Sequence, residues 1–268
     1  MSNRGTWRAH TEVVLQTRFS SLGCEPLGSL PLHSIDVNAM DVNGFRVAAE
    51  CRAAGGLLSG DFYRLLPHAP GRIGIVIGDT CGQGARAAAY LARVQPSLDE
   101  LAQSKASPAE LLSELNRVAA RSLPMDSFIT AAAFDFDAKA GVLTIANAGH
   151  VPAIVRGASG LVSVVGSASG PPLGIEPEGE YEDERYELRR GDVVVMMTDG
   201  LLEAIEKDLL SMESVRAWLS QAPGEASSVH RLLLRKLDEC VARRFIDDVT
   251  LVTLETSYDR AMPVPPLQ

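Results

Sequence analysis

Arg72-Ile-Gly-Ile-Val-Ile-Gly-Asp79-Thr-Cys-Gly-Gln-Gly84-Ala-Arg86 is the stretch on which the reading of this chain turns. An apolar, β-branched run stops on Gly78, an aspartate follows, and a glycine-rich turn leads into Ala85-Arg-Ala-Ala-Ala-Tyr-Leu-Ala92, which has helical character. A buried strand ending on a carboxylate delivers that carboxylate to a fixed place at the rim of the core. The glycines behind it let the backbone approach whatever the carboxylate holds.

Three other readings compete. Gly82-Gln-Gly84-Ala-Arg-Ala87 fits a loose dinucleotide fingerprint, but Asp79 stands between strand and glycines, and Asp99 and Glu100 fall in helix instead of closing a second strand. A P-loop needs Lys-Ser or Lys-Thr after its glycine, and here Gln83-Gly84 occupies the loop. The plainest reading is an Asp near a helix start, worth a few tenths to about 1 kcal/mol and no chemistry. Recurrence of the pattern elsewhere in the chain decides against it.

The chain has 268 residues, of which 46% are hydrophobic and 22% charged, enough apolar side chain to bury a core. A formal net charge of -9 argues against nucleic acid or an anionic membrane surface as the main partner. Cys24, Cys51, Cys81 and Cys240 have neither zinc-ribbon nor disulfide-framework spacing. There is no signal-peptide pattern and no apolar run of spanning length, so the expectation is a soluble, cytoplasmic protein without a membrane.

Residues 1–44 are weakly patterned and expected as an N-terminal extension, with one short helix or strand at Thr11–Phe19. The patterned domain is placed at 45–256 and a proline-containing tail at 257–268. Strands are expected at Phe45–Arg52, Asp61–Leu66 and Arg72–Gly78, with Pro67–Gly71 as a turn. A helix over Ala85–Val94 should kink or end at Pro96. Ser107-Pro108-Ala-Glu110 opens another, with Leu111, Leu112, Leu115, Val118 and Ala119 at helical spacing. Strands at Phe128–Asp137, Val142–Asn147, Ala153–Arg156 and Leu161–Val165 are joined by short turns, which predicts antiparallel neighbours. Tyr181–Leu188 and Asp192–Thr198 read as a hairpin. Helices at Met212–Ser220 and Ala226–Arg244 and a strand at Val249–Glu255 complete one α+β domain: two antiparallel sheets with helices outside.

Three further segments repeat the placement of Asp79. Asp61 opens a strand after Ser59-Gly60, Asp199 ends Val193–Met197 before Gly200, and Asp247-Asp248 precedes Val249–Leu254. If these carboxylates converge they repel one another, and convergence requires cations. All-oxygen ligands select Mg²⁺ or Mn²⁺ over zinc. A two-ion site of this kind acidifies a water and clamps a phosphate, giving phosphomonoester hydrolysis without a protein nucleophile.

Ser59-Gly-Asp-Phe-Tyr63, Gly78-Asp-Thr-Cys-Gly-Gln-Gly84, Asn147-Ala-Gly-His150, Gly170-Pro-Pro-Leu-Gly174, Thr198-Asp-Gly200 and Asp247-Asp-Val-Thr-Leu251 run in an order that resembles the bacterial SpoIIE/RsbU-type branch of PP2C-like (PPM) metal-dependent serine/threonine phosphatases. The resemblance covers roughly residues 45–255. It implies an α-β-β-α sandwich with two Mn²⁺ or Mg²⁺ ions at one edge. Asp79 would bridge both ions, the Thr80 carbonyl would join the second, and Asp199 and Asp247 would hold the first. Asp61 would bind directly or through water, and Asp248 is the lesser member of its pair. It implies as substrate a phosphorylated STAS-domain protein, an anti-sigma-factor antagonist, in a partner-switching circuit. A separate regulatory partner or a homodimer would take the place of a fused sensor.

The chain departs from the family's usual Gly-Asp-Val-Ser-Gly-Lys-Gly at Thr80, Cys81 and Gln83, which removes a cation near the phosphate. The Cys81 thiol reads as a small filler ahead of a proton donor or redox sensor, and His150 as a turn former ahead of a base. A non-catalytic pseudophosphatase and a phosphatase of small metabolites remain as alternative functions.

Overall fold

The computed structural model describes residues 40–42, 44–54, 58–101, 104, 106–167, 170–206, 212–240 and 247–256. The segment Thr11–Phe19, the tail after 256 and residues 241–244 of the last expected helix lie outside the described residues. Among the described residues, eleven strands form two antiparallel sheets. They are β1 (Met40–Val42), β2 (Phe45–Arg52), β3 (Phe62–Ala69), β4 (Arg72–Thr80), β5 (Ile129–Asp137), β6 (Val142–Ala148), β7 (Ala153–Arg156), β8 (Val162–Val165), β9 (Glu184–Glu187), β10 (Val193–Met197) and β11 (Val249–Thr256). One sheet has the order β1-β2-β11-β10-β7-β8, the other β3-β4-β5-β6-β9.

The period-2 alternation of strands explains how the layers stack. Ile73, Ile75 and Ile77 of β4, Phe134 and Phe136 of β5, Val194 and Met196 of β10, and Val252 and Leu254 of β11 share one core between the sheets. The alternate residues face outward. On the β4 sheet, Val76, Ile129, Ala131 and Ala133 pack under helices α1 (Gly84–Leu101) and α2 (Pro108–Ser122). On the other sheet, Val193, Val195, Val249 and Leu251 pack under α3 (Asp199–Glu206), α4 (Met212–Gln221) and α5 (Ala226–Cys240). The result is the expected four-layer α-β-β-α sandwich. Each fully buried leucine or isoleucine contributes roughly 1.5–3 kcal/mol.

Several expectations are corrected. β3 runs through Pro67 to Ala69 where a turn was expected, with a register shift between Pro67 and Ala69. It is an edge strand, so the missing proline N–H breaks no ladder on the open side. α1 continues past Pro96 because Val94 and Leu98, both buried, anchor it on either side of an exposed proline. Short turns did not always mean paired neighbours. β6 and β7 lie in different sheets, and so do β9 and β10, so Gly149–Pro152 and Arg189–Gly191 are crossings between layers and the expected hairpin is absent. The uniformly buried β10 requires cover on both faces, which half-exposed β9 cannot share. Asp192 fixes the second crossing by accepting the backbone N–H groups of Ala158 and Arg189, both at 2.8–2.9 Å. α3 was not anticipated, and β1 pairs with β2 from inside the weakly patterned N-terminal stretch.

Ser107 and Glu110 form the anticipated capping box: Ser107 Oγ accepts the Glu110 N–H and the Glu110 carboxylate accepts the Ser107 N–H at 2.8 Å. Ser107→Ala is expected to cost about 1 kcal/mol in urea unfolding. A buried cation also serves as a cap: the Arg156 guanidinium donates to the carbonyls of Leu219 and Ala222 at the C-terminal end of α4.

His230 of α5 is buried with Nδ1 3.3 Å from Thr253 Oγ1. Burial, with Arg52 and Arg231 adding to it, lowers its pKa from 6.5 to about 4. The ring is therefore neutral in the folded chain where the unfolded chain is already protonated. Stability from this group is full above pH 6.5 and is lost as pH falls toward 4. His230→Gln is expected to lose about 2 kcal/mol less than the parent between pH 7 and pH 5 in urea titrations. Equal slopes would contradict the assignment.

Candidate metal centre

The inward-facing register of each central strand is apolar through the core and turns polar at one edge of the sandwich. Ile73, Ile75 and Ile77 lead to Asp79; Phe136, Phe134 and Ala132 lead back to Thr130; Leu143 and Ile145 lead to Asn147. On the opposite sheet Val194 and Met196 lead to Thr198, while Leu254 and Val252 lead back to Thr250 and Asp248. Asp61 stands at the next alternate position before Tyr63 of β3. Two sheets packed face to face thus put five aspartates at one rim.

The aspartates are graded in depth. Asp61 and Asp248 are buried, Asp79 and Asp247 are half-buried, and Asp199, the first residue of α3, is exposed. Thr198 Oγ1 donates to Asp61 Oδ2 at 2.7 Å and itself accepts the Thr250 N–H at 2.9 Å, a bond chain that joins the two sheets. Thr198 N–H donates to the Thr250 carbonyl at 3.0 Å. Asp248 spends both carboxylate oxygens on backbone donors, Ala54 N–H and Gly60 N–H, each at 2.8 Å. It clasps the segment before β3 to the start of β11. Asp247 Oδ1 accepts the Asp248 N–H at 2.8 Å.

The electrostatics of the rim are those of crowded anions. Burial, then Asp199 and Asp247, push the Asp79 carboxyl from 3.8 to about 7, against a bond with Asp61 that pulls it down. Burial first, then Cys51 and Asp79, hold Asp61 well above the ordinary carboxylate range. Asp247 is raised by burial, Asp199 and Asp248. Among the described residues, no lysine or arginine is among the groups acting on these three. Gly60 lets the segment before β3 pack closely on β4 and α1: a Cβ there would lie 2.8 Å from Ala87 Cβ, 3.0 Å from the Thr80 carbonyl oxygen and 3.3 Å from Asp79 Oδ1. All-oxygen donors and mutual repulsion suit a hard divalent cation. Among the described residues, however, no three acidic, histidine or cysteine side chains already form a closed ligand group. The rim has the composition of a metal centre, with Asp61 bonded to Asp79 in its interior and Asp199 exposed at its mouth.

Cys81 extends the β4–β5 ladder: its N–H donates to the Phe128 carbonyl at 3.0 Å, and its Sγ accepts the Phe128 N–H at 3.2 Å. That occupation is structural. His150 is buried at the β6–β7 crossing, which the Asn147 side chain holds by accepting the His150 N–H and donating to the His150 and Gly166 carbonyls. Its Nδ1 lies 2.9 Å from Thr130 Oγ1, the cross-strand partner of Asp79. Burial lowers its pKa to about 4, opposed by the Met197 carbonyl, which describes a neutral ring packed between the sheets. Sequence reasoning quoted Thr198 and Thr250 only as motif letters. Their signal was parity, because both share the inward register of their strands.

The family model for Stage II sporulation protein E (SpoIIE) matches residues 69–257. Phosphoserine phosphatase RsbU of Bacillus subtilis is 27% identical over 203 residues, 74% of this chain and 59% of that protein. The chain therefore spans a little under two thirds of that relative. A structure of RsbU and RsbW domains from Mycobacterium tuberculosis superposes with a TM-score of 0.66 at 26% identity, covering 84% of this chain and 62% of the other. The PP2C phosphatase domain with a regulatory-domain fragment of SpoIIE from Bacillus subtilis gives a TM-score of 0.68 at 20% identity, covering 82% and 64%. With most of the described chain inside the matched span and TM-scores of 0.66 and 0.68 to these structures, this protein belongs to the Stage II sporulation protein E (SpoIIE) family and has the PP2C fold.

Proposed function

We propose that the chain is a Mn²⁺- or Mg²⁺-dependent protein serine/threonine phosphatase. Its substrate is a phosphoserine or phosphothreonine protein, a STAS-domain antagonist of an anti-sigma factor, in a partner-switching pathway. The observation that carries this reading is the meeting of Asp61, Asp79, Asp199 and Asp247 at one rim, from four strand ends far apart in sequence. Family membership and the printed activity of RsbU support the substrate class.

In this reading Asp79, the Thr80 carbonyl, Asp199 and Asp247 would hold two ions, Asp61 would join them from the start of β3, and Asp248 serves as the clasp beneath. The bound ions supply Lewis acidity, acidifying water and neutralising phosphate charge. The chain's own part is orientation. Rigid strand ends fix the deeper carboxylates, the Asp248 clasp fixes the loop entering β3, and Asp199 at the exposed mouth meets the incoming phosphoprotein. Preorganised positioning of this kind spares the reaction the cost of assembling the site. Regulation by a separate partner or by a homodimer belongs to the same proposal.

One second reading is a non-catalytic module that binds a phosphorylated partner, because among the described residues no three ligating side chains form a closed group. Incubation with phosphorylated STAS-domain proteins from the same genome, with Mn²⁺ and with EDTA, separates the two. Mn²⁺-dependent release of phosphate supports the enzyme. Tight binding without release, together with no hydrolysis of p-nitrophenyl phosphate, supports the module. Release from small phosphorylated metabolites alone would move the substrate class.

A further inference from the structure

Asp61 is the deepest carboxylate of the rim that is not tied to the backbone by both its oxygens, and its environment is unusual. It is 4% exposed, yet among the described residues no lysine or arginine acts on it. Oδ2 receives the Thr198 hydroxyl at 2.7 Å, and the Thr250 hydroxyl lies near enough to act on the same group. The Thr198 hydroxyl has a single proton, and its orientation is not free. Thr250 N–H points into Thr198 Oγ1 at 2.9 Å, occupying an acceptor lone pair and leaving the hydroxyl proton to go toward Asp61. Thr198 is fully buried and lies one residue past β10, while Asp61 lies one residue before β3 in the opposite sheet. The bond therefore sets Asp61 relative to the β10–α3 junction, where Asp199 follows Thr198.

We propose that Thr198 is a positioning residue for the divalent cation: its hydroxyl, aimed by the Thr250 N–H, holds Asp61 in one orientation with Oδ1 turned to the rim. This rests on the metal-centre reading above. The hydroxyl keeps one oxygen occupied and the carboxylate in a single rotamer, so binding does not have to order it. Substituting such outer partners typically costs 10–100-fold in metal affinity. A serine keeps the donor; a valine keeps the shape and removes it.

The test is calorimetric Mn²⁺ binding to the full chain, with urea unfolding in EDTA alongside, for Thr198→Val and Thr198→Ser. We expect Mn²⁺ affinity to fall at least ten-fold in Thr198→Val and to return to within about three-fold of the parent in Thr198→Ser. In Asp61→Asn, adding Thr198→Val should cause no further loss, because the hydroxyl acts through that carboxylate. Thr198→Ala removes the same hydroxyl without a methyl against the Thr250 N–H, and it stands in if the valine variant does not fold. Equal Mn²⁺ affinity in the parent and the hydroxyl-free variant overturns the positioning role and leaves the metal centre intact. No Mn²⁺ binding by the parent overturns both. If neither hydroxyl-free variant folds, the hydroxyl holds the fold and the proposal fails.

Discussion

Asp79→Asn is expected to abolish Mn²⁺-dependent hydrolysis of p-nitrophenyl phosphate and, in EDTA at pH 8, to make the fold more stable. The two effects have one cause. Asp79 sits where burial and the charges of Asp199 and Asp247 raise its carboxyl to about 7. A carboxyl whose folded pKa exceeds its unfolded value contributes stability below the unfolded pKa and loses it as pH rises through the folded one. At pH 8 without a divalent cation the ionised group therefore costs roughly 2–4 kcal/mol. Asparagine has nearly the same shape and no charge to bury or repel, so the urea midpoint in EDTA should rise at pH 8, and the gain should shrink toward pH 4. With Mn²⁺ the order reverses. The parent gains stability from ligation and the variant gains little. Loss of ionic stabilisation at the phosphate is worth several kcal/mol, a rate decrease of at least about 10³. A variant that is less stable in EDTA at every pH, or that hydrolyses at the parental rate, would refute the placement of Asp79 in an anionic centre.

Gly200→Ala should be the most damaging small substitution. A Cβ at Gly200 would overlap the Asp248 carbonyl oxygen, lie 2.9 Å from the Asp248 carbonyl carbon and stand 3.3 Å from Val249 Cγ2. Two of those neighbours are backbone, so no rotamer change relieves the conflict. The start of β11 has to move instead. Asp248 is bonded to Ala54 and Gly60, so its displacement also loosens the entrance to β3 and with it Asp61. The expected cost is about 3 kcal/mol or more of stability, with loss of Mn²⁺ binding in whatever remains folded. Gly84 is the control. Its φ is +57° but nothing lies within 4 Å of a Cβ there, so Gly84→Ala bears only the left-handed strain of about 1–2 kcal/mol. If the two alanine variants unfold at the same urea concentration, the close packing of α3 on Asp248 is wrong.

The sequence carried most of the strands and the composition of the rim. The β-branched runs of β4, β10 and β11 end on, or begin after, aspartates beside glycine or a second aspartate, and that pattern is local enough to read without coordinates. The capping box at Ser107 was legible for the same reason, since its partners are three residues apart. Partnership between sheets was not. Gly149–Pro152 and Arg189–Gly191 look like hairpin turns because their length suits one. Only the packing of β6 and β9 in one sheet and β7 and β10 in the other reveals them as crossings. Turn length limits how far the chain travels, and it does not choose between pairing beside a strand and stepping across the core.

The division of labour among the aspartates was likewise a tertiary matter. By sequence alone, Asp247 and Asp248 are neighbours with equal claims. In the fold, strand alternation and two backbone N–H groups make Asp248 a clasp and leave Asp247 at the rim. What the sequence determined by itself was that carboxylates would stand at strand ends, because alternation and apolar runs are properties of adjacent residues. Which carboxylates meet, at what depth and held by which hydroxyls, depended on two sheets closing face to face, because burial and repulsion arise only between groups the chain has brought together.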